Sequence, residues 1–223
     1  MQLFQTNALS NEQREQLSVL IMEWKSSVRP VLRPTEYFEE HDLIHTPSML
    51  GEDVSVGYYL QGEDVLQENT TAALFLNNKL LEDMGLDSVE GVESLREHAY
   101  DNLAREVSFE RLSDVIGVGF PDERIFILSN ESRYYGAAAI ELLDRAMPPA
   151  LKDQNFYMLP SSVHETLVIP TDEFDADTLA VFNHMVHTVN EQEVRPEEQL
   201  ADHAYMFDSD GSLRKDLDNS YTL

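Results

Sequence analysis

Four polar side chains crowd one short apolar stretch, NFYMLPSSVHETLVIP at residues 155–170: Ser161, Ser162, His164 and Glu165. A serine hydroxyl with an imidazole base and a carboxylate to orient it is the equipment of acyl transfer from an ester or amide. The spacing argues against it. In an extended strand His164 and Glu165 point to opposite faces, so adjacency does not pair them. Ser162 and His164 share a face, yet side chains standing side by side fix no serine–imidazole hydrogen bond. The chain also lacks a G-x-S-x-G elbow. Pro160 and the two serines are turn residues between two apolar runs, so the stretch reads as a β-hairpin that turns at Pro160. No residue is assigned a catalytic role. Ser161, Ser162, His164 and Glu165 stand as a candidate functional turn.

Other candidates for chemistry are weaker. His184 and His187 have the i, i+3 spacing of two metal ligands, but the helix they sit on has its apolar stripe at Leu179, Phe182, Val186 and Val189. That places His184 on the wet side with no third ligand nearby. His41 and His45 lie in a proline-flanked loop without the glutamate of an H-E-x-x-H helix. DSDG at Asp208–Gly211 has its glycine two residues early for a calcium loop and reads as a hairpin turn. GVG at 117–119 is not a dinucleotide fingerprint, because Asp122 stands where the third glycine belongs. Gly136 opens GAAAIELLDRAM, where small residues point to a helix packed closely on a sheet. No metal or cofactor is expected.

Several elements position these residues. Ser10 with Gln13 is a capping-box pattern, and Leu17, Leu20, Ile21, Trp24 and Val28 predict a helix over 11–27 that Pro30 and Pro34 stop. A polar loop follows. Val54, Val56, Tyr58 and Leu60 alternate as a strand that turns at QGED into a second, with a third at Ala72–Leu76. Asn77 caps a short helix that Gly85 ends, and Val92, Leu95, Ala99 and Leu103 mark a longer one. GVGFPDE (Gly117–Glu123) is the best boundary, dividing 1–118 from 119–223 unless the whole is one continuous domain. Beyond it the order is strand, helix, strand, strand, helix, strand: a β-α-β-β-α-β unit, ferredoxin-like or split βαβ. The expected class is α+β, with a smaller helix-plus-strands region packed on that unit.

Charge limits the partners. The chain of 223 residues carries 42 acids against 15 bases, a net charge of −27, and no cysteine. Residues 1–50 hold seven acids, 51–119 fifteen and 120–223 twenty, so the acidity belongs to the whole body. Direct binding of nucleic acid or of an anionic membrane needs a basic surface and is not expected. A basic protein partner is. No apolar run reaches the ~18 residues of a membrane span, and the N-terminus lacks the pattern of a signal peptide; the expected location is the cytoplasm. Oligomeric state is not legible.

YYGAAAIELLDRAM, FYMLPSSVHETLVIP and MVHTVNEQEVRPEEQLADHAYMFD, with TTAALFLNNKLLEDMGL and VESLREHAYDNLAREV before them, resemble an uncharacterised bacterial family of gut Firmicutes, domain-of-unknown-function family 5688. The resemblance covers roughly residues 54–210. It implies no activity, cofactor or catalytic residue. It marks Asn130, Gly136, Pro160, Ser161, Ser162, His164 and Glu165 as motif positions, and implies an intracellular bacterial protein carried among accessory or mobile-element genes. Three functions follow as expectations: a non-enzymatic protein-binding protein first, a DNA-mimicking inhibitor of a restriction or defence nuclease second, and a small serine hydrolase third.

Overall fold

The computed structural model describes residues 11–63, 71–117 and 124–214. Helix α1 (Asn11–Met22) and the short α2 (Trp24–Ser27) lead into strand β1 (Val28–Pro34). Helix α3 (Thr35–Glu40) follows, then β2 (His45–Ser48), β3 (Gly51–Glu63) and β4 (Thr71–Phe75). These four strands form one antiparallel sheet around β3, with β1 along one side and β2 and β4 sharing the other. The expected turn at QGED is not there: Gln61–Glu63 continue β3 and pair with β4. Strand β1 was hidden by Pro30 and Pro34, which stop helices. Proline is tolerated in a strand that pairs on one side only, and β1 pairs with β3 alone. The capping-box residue Ser10 lies outside the described residues.

Asn77 caps α4 (Asn78–Met84) by accepting from the Leu80 amide at 2.9 Å, and Gly85 ends it in a left-handed conformation. Helix α5 (Val89–Glu106) buries Leu95, Ala99 and Leu103, as its spacing predicts. It runs into β5 (Val107–Arg111) and α6 (Leu112–Ile116), which Gly117 closes; the remainder of the proposed boundary, residues 118–123, lies outside the described residues. Then come β6 (Phe126–Asn130), a 3-10 helix (Gly136–Leu142), α7 (Leu143–Ala146), β7 (Asn155–Leu159), β8 (Thr166–Thr171), α8 (Ala176–Gln192), β9 (Tyr205–Phe207) and β10 (Leu213–Arg214). The DSDG turn joins the last two as a hairpin.

The class is α+β. The second sheet has the order β10-β9-β7-β8-β6-β5, every neighbour antiparallel. Strands β6 and β7 therefore run parallel with β8 between them, and β8 and β9 run parallel with β7 between them. Both are split βαβ pairs. The order nevertheless departs from the ferredoxin-like one, in which the last strand lies beside the first: here β9 lies beside β7. The reason is β5, which the sequence did not reveal. It occupies the outer edge of β6 and leaves β9 only the edge of β7.

Strand alternation sorts the second sheet into two faces. Phe156, Met158, Val168 and Phe207 point inward and join a single cluster with Val28, Leu32 and Leu60 of the first sheet and Phe38 of α3. Tyr157, Leu159 and Met206 point outward and meet α8. Polar ties also join the first sheet to the 3-10 helix. The Glu141 carboxylate accepts from the Ser48 hydroxyl at 2.6 Å and the Met49 amide at 3.0 Å.

Burial raises the Glu141 pKa above the ordinary glutamate value, although those two hydrogen bonds pull the other way. A carboxyl with a raised folded-state pKa favours the neutral form, so its stabilising share is present at low pH and lost as pH rises through that value. Glutamine keeps the accepting oxygen and does not ionise. Urea unfolding of Glu141→Gln at pH 5 and pH 8 is expected to show a stability advantage over the parent that grows toward pH 8. An advantage that shrinks would reverse the assignment.

Candidate functional site

All seven motif positions converge at one end of the second sheet, where three loops meet: 130–136 after β6, 160–165 between β7 and β8, and 194–201 after α8. The hairpin at Pro160 is present, with Leu159 opposite Leu167 in register. Its backbone is stitched to the third loop. The Pro160 carbonyl accepts from the Ala201 amide at 3.1 Å, the Ser161 carbonyl from the Leu200 amide at 3.2 Å, and the Val163 amide donates to the Glu198 carbonyl at 2.9 Å. Ser162 faces Gln199 in a single antiparallel bridge.

Ser162 does not meet the imidazole. Its hydroxyl accepts from the backbone amide of His164 at 3.0 Å, the local turn that serine offers its own chain. The imidazole is occupied on both sides. The Tyr135 amide donates to Nδ1 at 3.2 Å, and Nε2 stands 3.7 Å from a Glu198 carboxylate oxygen. An amide N–H directed at Nδ1 requires that nitrogen to be the acceptor, so the neutral ring carries its proton on Nε2. A general base needs a lone pair aimed at the proton it takes. Here that lone pair is engaged by a main-chain donor, which leaves Ser162 without a base. Glu165 turns the other way and pairs with Arg133 at 3.1 Å, and Arg133 also reaches Glu110 at 3.1 Å.

Asn130 and Gly136 bracket the first loop. The Asn130 side-chain amide donates to the Tyr134 carbonyl at 2.9 Å, while its oxygen accepts from the Tyr134 amide at 3.1 Å and the Ser132 hydroxyl at 3.2 Å. This clamp holds two non-glycine residues, Arg133 and Tyr135, at φ near +50°. Such backbone costs of order 1–3 kcal/mol per residue and persists only where the surroundings fix it. Gly136 is the close approach that its sequence context suggested. A Cβ there would fall 2.2 Å from Ser129 Oγ and 2.6 Å from the His164 carbonyl oxygen.

Sequence reasoning missed the group that ties this junction to the first sheet. Arg33 of β1 is 4% exposed. Its guanidinium lies against the Tyr37 ring at 4.7 Å and the Tyr135 ring at 5.2 Å. It donates to the Glu197 carbonyl and, at 3.2 Å, to the Tyr135 hydroxyl. Tyr134 lies beside Tyr135, and His164 stacks on Tyr135 with centroids 5.7 Å apart. Burial, and next the hydrogen bond to Tyr135, push the Tyr134 phenol well above its ordinary pKa. An arginine in a proline-bounded segment gives no sequence cue that it will be buried. Its partners lie 102 and 164 residues away.

Among the described residues no group of three or more His, Asp or Glu is placed to hold a metal ion. His184 and His187 are both exposed, and His187 faces Glu191 at 3.4 Å. His41 and His45 turn Nδ1 onto the carbonyls of Tyr37 and Leu43. Among the described residues no helix is long and apolar enough to cross a membrane. A model of a family of unknown function, DUF5688, matches residues 39–209. No curated protein and no solved structure matches the chain.

Proposed function

The chain belongs to the DUF5688 family of unknown function, and we propose that it works by binding a basic protein and carries out no reaction of its own. One observation carries the reading. On α5, Glu90, Glu93, Glu97 and Asp101 are all exposed. At 1.5 Å of rise per residue they form one ridge with steps of about 4.5 to 6 Å. The only bases of the helix, Arg96 and Arg105, flank the ridge, and Arg105 donates to Asn102. A line of carboxylates on a body of net charge −27 speeds encounter with a cationic surface and selects against anionic ones.

A second reading draws on the same ridge. A protein that imitates DNA toward a restriction or defence nuclease also needs carboxylates in line, but it needs them on one continuous face. Exposed acids stand as well on α3, at Glu36, Glu39 and Glu40, and at both ends of α8. The broader reading, a basic protein partner, therefore comes first.

The test neutralises the ridge with Glu90→Gln, Glu93→Gln, Glu97→Gln and Asp101→Asn together. The tagged full chain is expected to enrich a defined set of basic proteins from lysate at low salt, and the neutralised chain is expected to lose them by about tenfold or more. Equal enrichment by both chains would end the proposal, as would no enrichment by either. A captured nuclease whose cleavage the parent chain inhibits would select the DNA-mimic reading.

A further inference from the structure

Helix α8 touches the second sheet through Leu179, Phe182 and Val186. Val189, expected on that stripe, is instead 38% exposed, with Val181 at 56% and Met185 at 42%. The three recur at i, i+4 and i+8, so they form one line about 12 Å long on the flank of the helix that the sheet does not cover. Large apolar side chains exposed singly need no explanation. These are not single: three of the seven exposed large hydrophobics among the described residues stand on this line.

The charges around the line decide what fits it. Asp172, Glu173, Asp175 and Asp177 surround the N-terminal end of α8, and Glu191 and Glu193 stand at its C-terminal end. No lysine or arginine occurs between residues 172 and 193. A second copy of the chain is a poor occupant, because α8 packed on α8 sets acids against acids at both ends in either direction, on two bodies of −27 each. An apolar line bracketed by carboxylates complements a helix with its own apolar line and lysines or arginines at both ends. Met185, unbranched and adaptable, sits at the centre of the contact.

We propose that the Val181–Met185–Val189 face of α8 docks a basic amphipathic helix of a partner protein. The proposal rests on the protein-binding reading and adds to it the surface and the shape of the ligand.

The probe is a synthetic helical peptide with leucines on one line and lysines elsewhere, titrated against the full chain by fluorescence anisotropy. Two relatives accompany it, one with the leucines replaced by serine and one with the lysines replaced by glutamate. The leucine–lysine peptide is expected to bind about tenfold more tightly than the serine–lysine peptide, equivalent to about 1.4 kcal/mol. The triple substitution Val181→Ser, Met185→Ser, Val189→Ser is expected to erase that difference while leaving binding of the serine–lysine peptide unchanged. A difference that survives the triple substitution would overturn the proposal, as would no difference in the parent chain. Equal binding of the glutamate peptide would overturn the charge argument. A dimer in sedimentation that the triple substitution dissociates would assign the face to a second copy. Capture of lysate proteins through the α5 ridge is read separately, so a failed stripe leaves the broader reading standing.

Discussion

Gly136→Ala is expected to unfold the protein or to cost more than about 3 kcal/mol in urea unfolding. Overpacking in a well-filled interior ordinarily costs 1–3 kcal/mol, and more where nothing yields. Little can yield here. The new Cβ would stand 2.2 Å from Ser129 Oγ, 2.6 Å from the His164 carbonyl oxygen and 2.7 Å from the Asn130 amide nitrogen. Two of those three atoms are backbone, and the third is held in place by its 2.8 Å hydrogen bond to the His164 carbonyl. Removing the hydroxyl with Ser129→Ala therefore relieves one contact of three and is not expected to rescue Gly136→Ala. Gly85 supplies the comparison. Its φ is +69° but nothing lies within 4 Å of its would-be Cβ, so Gly85→Ala is expected to cost only about 1 kcal/mol, the strain of a left-handed residue. Equal costs at the two glycines would show that the 130–136 loop does not pack on the hairpin as described.

Arg33→Ala is the second large effect, at about 3–5 kcal/mol. Part is the cavity left by a long, fully buried stem, since large-to-small changes in a core cost 2–5 kcal/mol. Part is two acceptors, the Glu197 carbonyl and the Tyr135 hydroxyl, left without their charged donor. A buried cation carries a desolvation penalty of several kcal/mol. The two aromatic faces offset it here, each worth about 2 kcal/mol once water is excluded, and the strongly negative body does so at longer range. Arg33→Lys keeps the charge but loses the planar group that stacks on Tyr37 and Tyr135, so it is expected to fall between parent and alanine. The loss has a local signature. Without Arg33 the 196–198 turn is untied from β1, and the Val163 amide, which donates to the Glu198 carbonyl, should exchange its hydrogen faster than the amides of β7. Arg33→Ala within 1 kcal/mol of the parent would contradict the account.

What the sequence made legible was local. The caps of α4, the buried spacing of α5, the hairpin at Pro160 and the DSDG turn each depend on residues within a few positions of one another. What it hid was set at long range or disguised by proline. Strand β1 carries Pro30 and Pro34, and β2 carries Pro47; both pair only with β3, where proline's missing donor does no harm. The place of β9 depended on β5, whose alternation is limited to Val107 and Phe109, in a five-residue strand that is half-buried or exposed and follows α5 without a break. The motif letters of the Pro160 turn were visible. Their purpose was not, because the groups that define it, Tyr135, Arg33 and the Glu198 segment, come from three other parts of the chain.

The corner formed by Ser162 and His164 is read as architecture, and the most direct measurement of that claim is the proton position on the His164 ring. In nitrogen-15 spectra of the full chain at neutral pH, assigned with His164→Gln as the blank, Nε2 is expected to carry the proton and Nδ1 to appear as a bare acceptor, because the Tyr135 amide donates to it. A proton resting on Nδ1 would contradict the account, as would a proton that passes from one ring nitrogen to the other when Ser162→Ala removes the hydroxyl.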